Sequence, residues 1–272
     1  MPLAPVGSHS LSYEVHGDAS GLPLLLIAGL GGASQGWLAL QVPEFALRHR
    51  CVVFDHRGVG ESQDPGGAFT TADLADDAAA LLDALGIGRA HVLGAFMGGM
   101  VAQELALRHP ERVARLVLVG TWARPDAKRR MLIAKWKAMA GHGLPREVIA
   151  WERMLWTLSD ETLEQRDLVQ PMLQGYLHGG FPMPEATFVR QCDACLGHDT
   201  SARLGALAQP ALVLCGQEDV LTPPKLAREL AAALPDAHLV VIPHAGHLVM
   251  AEAAKRFDEI VLQFLEDERP EA

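Results

Sequence analysis

The sequence predicts an α/β fold: a mostly parallel sheet flanked by helices, with an inserted helical lid. Three observations lead there. Six short runs, at 24–27, 51–54, 90–93, 114–119, 211–214 and 239–242, are apolar along most of their length. Strands covered by helices on both faces read that way. Helical segments fall between strands, the rhythm that builds parallel sheets. From 122 to 204 the rhythm stops, with no strand-like run and four of the five tryptophans (Trp122, Trp136, Trp151, Trp156). The 272 residues suit one large domain with such an insertion. The expected division is a core of 1–121 and 205–272 with a lid of 122–204.

Residues 11–15 alternate like an early antiparallel strand, and His16-Gly17-Asp18 is turn-like. The run 24–27 opens into Ala28-Gly29-Leu30-Gly31-Gly32, a glycine-rich loop whose spacing fits neither the P-loop nor the dinucleotide fingerprint. The run 51–54 closes in Asp55-His56-Arg57-Gly58-Val59-Gly60-Glu61-Ser62, expected to shape a loop beside a pocket. An amphipathic helix is expected over 71–86, capped by Thr71, with Leu74, Leu81, Leu82 and Leu85 inward and Gly86 at its end. The run 90–93 meets Gly94-x-Phe96-x-Gly98-Gly99, and a helical run, 100–108, follows. Small residues around position 96 imply a tight strand-turn-helix passage with a strained, positive-φ centre. In the lid, most large apolar residues should hold its helices together, and the rest should line an apolar pocket. Residues 266–272 read as a frayed tail.

Lys+Arg 23 against Asp+Glu 33 leaves a net charge of −10, which argues against nucleic acid or an anionic membrane as partner. No run of about 18 apolar residues suggests a membrane span. The first residues, Met1-Pro-Leu-Ala-Pro, lack the pattern of a signal peptide. A cytoplasmic, soluble protein is expected. Cys192-Asp-Ala-Cys195 has no second pair to complete a zinc site and reads as helix packing; no metal is expected. Cys51 and Cys215 lie in or beside strands as small hydrophobes.

Two loops can carry chemistry. Gly216-Gln217-Glu218-Asp219 follows the run 211–214, and His244-Ala245-Gly246-His247 follows 239–242. Both should reach the sheet edge where Phe96 turns. There Asp219, with Glu218 as fallback, would accept a hydrogen bond from one nitrogen of His247, leaving the other as general base. His244 would support the loop. The backbone N–H groups of Leu30, or a neighbour, and Met97 would hold a developing oxyanion.

From 11 to 264 the chain resembles the α/β-hydrolase superfamily, most closely small bacterial esterases and enol-lactonases. The resemblance rests on Gly29-Leu30-Gly31-Gly32, Asp55-x-Arg57-Gly58-x-Gly60-x-Ser62, Gly94-x-Phe96-Met97-Gly98-Gly99, Asp219 and His247. It implies hydrolysis of a small, rather apolar ester or lactone through a serine at position 96, by an acyl-enzyme and without a cofactor. The chain departs from the family there. Phe96 has no proton or lone pair with which to attack. Serine-esterase activity is therefore expected to be absent or greatly reduced. Attack by Ser34, Thr121 or Ser62 is one alternative, though none sits on a turn built to present it. Another is a His247–Asp219 dyad acting on water, as in the aminoacrylate hydrolases that the chain also resembles, where the serine can be absent. A lyase or isomerase, a ligand-binding pseudoenzyme and an engineered variant of a serine esterase remain open.

Overall fold

The structure is a computed structural model that describes residues 1–17, 21–178 and 183–267. The expected turn residue Asp18, lid positions 179–182 and the expected frayed tail beyond 267 lie outside the described residues.

Side chains alternate between the faces of a strand, so a run that is apolar throughout needs cover on both sides. That requirement organises one eight-stranded sheet: β1 (Leu3–Val6), β2 (His9–His16), β3 (Leu24–Ile27), β4 (Cys51–Phe54), β5 (Ala90–Ala95), β6 (Val113–Val119), β7 (Ala211–Gly216) and β8 (Ala237–Ile242). The spatial order is β1-β2-β4-β3-β5-β6-β7-β8. β2 runs antiparallel to β1 and β4, and the other pairings are parallel. The sequence did not suggest β1. It is four residues long and carries Pro5, which a sheet tolerates at its edge.

Leu25, Ile27, Val52, Phe54 and Val92 face one way, beneath α3 (Thr71–Ala84), α4 (Met97–Arg108) and α10 (Pro224–Ala233). Leu24, Leu26, Cys51, Val53 and Leu93 face the other way, beneath α2 (Gln41–Phe45), α11 (Val249–Glu252) and α12 (Ala254–Leu265). The short α1 (Gln35–Leu38) precedes α2. Between β6 and β7 lie α5 (Ala127–Met139), α6 (Arg146–Thr157), α7 (Asp160–Glu164), α8 (Arg166–His178) and α9 (Glu185–Gly197).

Two helix starts differ from expectation. Thr70, not Thr71, caps α3: its hydroxyl accepts from the Asp73 N–H, while the Asp73 carboxylate accepts from the Thr70 N–H. α4 begins at Met97, three residues early, because Gly98 and Gly99 hide helical periodicity while letting the helix cross the sheet closely. A Cβ on Gly98 would lie 2.2 Å from the Ile27 carbonyl oxygen, and one on Gly94 2.1 Å from that of Gly98.

Candidate active site

β5 ends at Ala95 and α4 starts at Met97, so Phe96 alone turns the chain, at φ 49° and ψ −111°. Its backbone is held from several sides. The Phe96 N–H donates to the Val119 carbonyl at 2.9 Å, and the Phe96 carbonyl accepts from the Thr121 hydroxyl at 2.8 Å. The ring is buried and meets Trp122 and His247 edge-on, with centroids 5.1 and 5.3 Å away.

The loops after β7 and β8 bring Asp219 and His247 together. His247 Nδ1 lies 2.9 Å from Asp219 Oδ2, and both residues are buried. Asp219 also accepts from the Thr222 N–H at 2.7 Å and the Thr222 hydroxyl at 2.6 Å. Burial pushes the Asp219 carboxyl up. The His247 charge, the His247 hydrogen bond and both Thr222 bonds outweigh it, and the carboxyl sits below its ordinary value. An ionised carboxylate only accepts hydrogen bonds, so the Nδ1 facing it carries the proton. In the neutral ring Nε2 then has the lone pair, able to take a proton. Gly120 makes room for this pair at φ 51°: a Cβ there would lie 3.0 Å from His247 Cε1 and 3.3 Å from the Thr222 hydroxyl.

The Ala28–Gly32 loop closes on itself through the Gly32 N–H and Gly29 carbonyl at 3.1 Å, with Gly31 at φ 70°. Leu30 lines the cavity beside it. Met97 opens α4, where first-turn N–H groups have no acceptor within the helix. Phe96, His247 and this loop border a cavity of about 580 Å³, within the range of small-molecule sites. Trp136, Ile149 and Phe188 contribute apolar wall, and Gln41, Arg153 and Tyr176 contribute polar groups.

Residues 23–254 match the family model for the alpha/beta hydrolase fold. The chain belongs to the α/β-hydrolase fold family. A protein of Azorhizobium caulinodans named as a carbamate hydrolase, RutD, is 32% identical over 265 residues, 97% of this chain and 98% of that one. The crystal structure of a protein of Mycobacterium tuberculosis H37Rv named as a non-heme bromoperoxidase, BpoC, superposes with TM-score 0.86 at 34% identity. That match covers 94% of this chain and 96% of the other. The enol-lactonase of Burkholderia xenovorans LB400 superposes with TM-score 0.84 at 28% identity, covering 97% and 100%.

In this α/β-hydrolase-fold chain the other sequence candidates stand apart from the His247–Asp219 pair. Asp219, and not Glu218, reaches the imidazole. His244 is 74% exposed and faces Glu161. The Ser62 hydroxyl donates to the Asp55 carbonyl, and the Asp55 carboxylate accepts from the Ser34 N–H and the Ser12 hydroxyl. Asp55–Ser62 is thus tied to neighbouring backbone. The Thr121 hydroxyl is committed to the Phe96 carbonyl. Cys192 and Cys195 are buried in α9, and burial pushes both thiols up, that of Cys192 to about 12. No group of three metal-ligating side chains occurs among the described residues, and none of their helices is long and apolar enough to cross a membrane.

Sequence reasoning gave Thr222, Gly120 and Gln191 no part in the site, reading Thr222 only as the opening of a helix and Gly120 as the point where the strand-helix rhythm breaks. Thr222 had a usable signal, since an Asp followed three residues later by Thr can close a local hydrogen-bonded turn. The isolated Gln191 carried none.

Proposed function

We propose that this α/β-hydrolase is of the carboxylic ester or lactone type, with Phe96 standing where the family's nucleophilic serine would be. Acyl-enzyme turnover is then absent or greatly reduced, and the cavity receives a small, largely apolar ester- or lactone-like compound. Residues 122–204 form its lid. The observation that carries the reading is the edge-on packing of the His247 and Phe96 rings, whose centroids lie 5.3 Å apart. The base meets a hydrocarbon where it would meet a hydroxyl, and a hydrocarbon yields no proton. The names of the enol-lactonase and carbamate hydrolase relatives support an acyl-type substrate.

The remaining parts have clear roles. With a hydroxyl at position 96, its oxygen would attack the substrate carbonyl carbon while its proton passed to His247 Nε2. Asp219 would stabilise the imidazolium, and the Leu30 and Met97 N–H groups would hold the oxyanion. The imidazolium proton would then leave with the alcohol, and water would release the acyl group. In the chain as it stands, the first of these steps has no nucleophile.

Hydrolysis of a short-chain aryl ester tests this in the native chain, the single variants Phe96→Ser and His247→Ala, and the two combined. The expected result is background turnover by the native chain and clear turnover by Phe96→Ser. Removing His247 should lower the latter by roughly 10²–10⁴-fold. Native turnover that depends on His247 would instead mean that the dyad drives water directly. Inactivity of every form would remove the hydrolase reading and leave ligand binding or lyase chemistry.

A further inference from the structure

The Gly31 peptide is gripped by two residues far away in sequence. Its N–H donates to Gln191 Oε1 on α9 at 3.0 Å, and its carbonyl oxygen lies 3.5 Å from Arg153 Nη2 on α6. A Cβ at position 31 would stand 2.5 Å from that guanidinium nitrogen and 3.2 Å from the Phe188 ring, so glycine lets α6 and α9 close on the loop. Gln191 is fully buried, and its Nε2 has no hydrogen-bond partner among the described residues. Leucine would fill similar space without leaving a buried donor unmatched. The amide is therefore costly as packing, and among the described residues its hydrogen bond is the one to Gly31.

We infer that Gln191 is a positioning residue: it ties the helical segment between β6 and β7 to the Ala28–Gly32 loop and fixes the Leu30–Gly31 peptide, the unit that follows the Leu30 N–H. The Gly31 N–H is occupied by Gln191 and the Gly32 N–H by the Gly29 carbonyl, so neither turns to an oxyanion, and the Leu30 N–H is the loop donor that the proposed reading uses. The loop would hold its catalytic shape only while α9 is seated. The catalytic consequence rests on the proposed ester or lactone reading; the tether itself does not.

The test has two arms, both on the full chain. Amide hydrogen exchange at Gly31 is compared between the native protein, Gln191→Leu and Gln191→Glu, whose carboxyl oxygen keeps an acceptor. In Gln191→Leu, Gly31 should exchange at least about tenfold faster while β3 and β5 keep their protection. Gln191→Glu should restore much of the protection. In the second arm the same changes are made in the Phe96→Ser background. There Gln191→Leu should lower kcat about tenfold with KM within about twofold, and Gln191→Glu should recover it. Unchanged Gly31 exchange in Gln191→Leu overturns the inference. So does a kcat equal to that of Phe96→Ser alone. If Phe96→Ser proves inert, the functional reading fails, and the exchange arm still decides the tether.

Discussion

Phe96 occupies a backbone region that bulky side chains avoid, at a cost of about 1–3 kcal/mol. The fold imposes that conformation through the Val119 and Thr121 bonds, whatever side chain the turn carries. The same loop edge fixes Asp219, whose depressed carboxyl makes two predictions. In the Phe96→Ser background, Asp219→Asn should reduce turnover by orders of magnitude, because an amide no longer enforces the Nδ1–H tautomer of His247. The second concerns stability. The folded value lies below the unfolded one, so this contribution is present above about pH 4 and lost as pH falls through the folded value. Thermal melts of Asp219→Asn should therefore lack part of the acid-side decline of the native chain. An identical acid limb in both would show that Asp219 is not ionised in the fold.

Among the elements, the capping box of α3 is a local device with a separable effect. Thr70→Ala should destabilise the chain by about 1 kcal/mol in urea unfolding, with an unchanged denaturant slope. Gly98→Ala is different in kind. Its Cβ would meet the Ile27 carbonyl at 2.2 Å, backbone against backbone, so β3 and α4 must separate. A large loss of folded yield is expected, since no side-chain rotation relieves the clash. These cases also mark what was legible. The buried strands announced themselves because cover on two faces demands continuous apolar residues. The pairing of Asp219 with His247 was legible because both lie on loops that leave β7 and β8 at one sheet edge. Helix starts were less visible, since Thr70 and Thr71 are chemically alike and the glycines after Phe96 erase amphipathic periodicity. Gln191 was not legible at all: its contact with Gly31 spans 160 residues and depends on how α9 seats.

For the molecule as a whole, two buried carboxyls on different elements pull stability in opposite directions with pH. Asp258 of α12 lies beneath α2, where Gln41 Nε2 reaches its Oδ1 at 3.4 Å and donates to the Met250 carbonyl at 2.7 Å. Burial, aided by the Glu44 charge and opposed by the Gln41 bond, pushes the Asp258 carboxyl up to about 7. Because the folded value is raised, its contribution is full below about pH 4 and lost as pH rises towards about 7. Asp219 requires its anion and Asp258 favours its acid. The two contributions are full together only near pH 4; above it the Asp258 contribution falls until about pH 7, and the net charge of −10 adds self-repulsion. The melting temperature should be highest near the acid end of that range and decline towards pH 7. Asp258→Asn keeps the shape of the side chain and cannot ionise, so it should match the native chain near pH 4 and melt progressively higher towards pH 8. Gln41 and Met250 also line the cavity, so ionisation of Asp258 acts on a wall of the site as well as on α12. If Asp258→Asn melts below the native chain at pH 8, the native carboxylate is stabilising there, and the opposed-carboxyl account of the pH window is wrong.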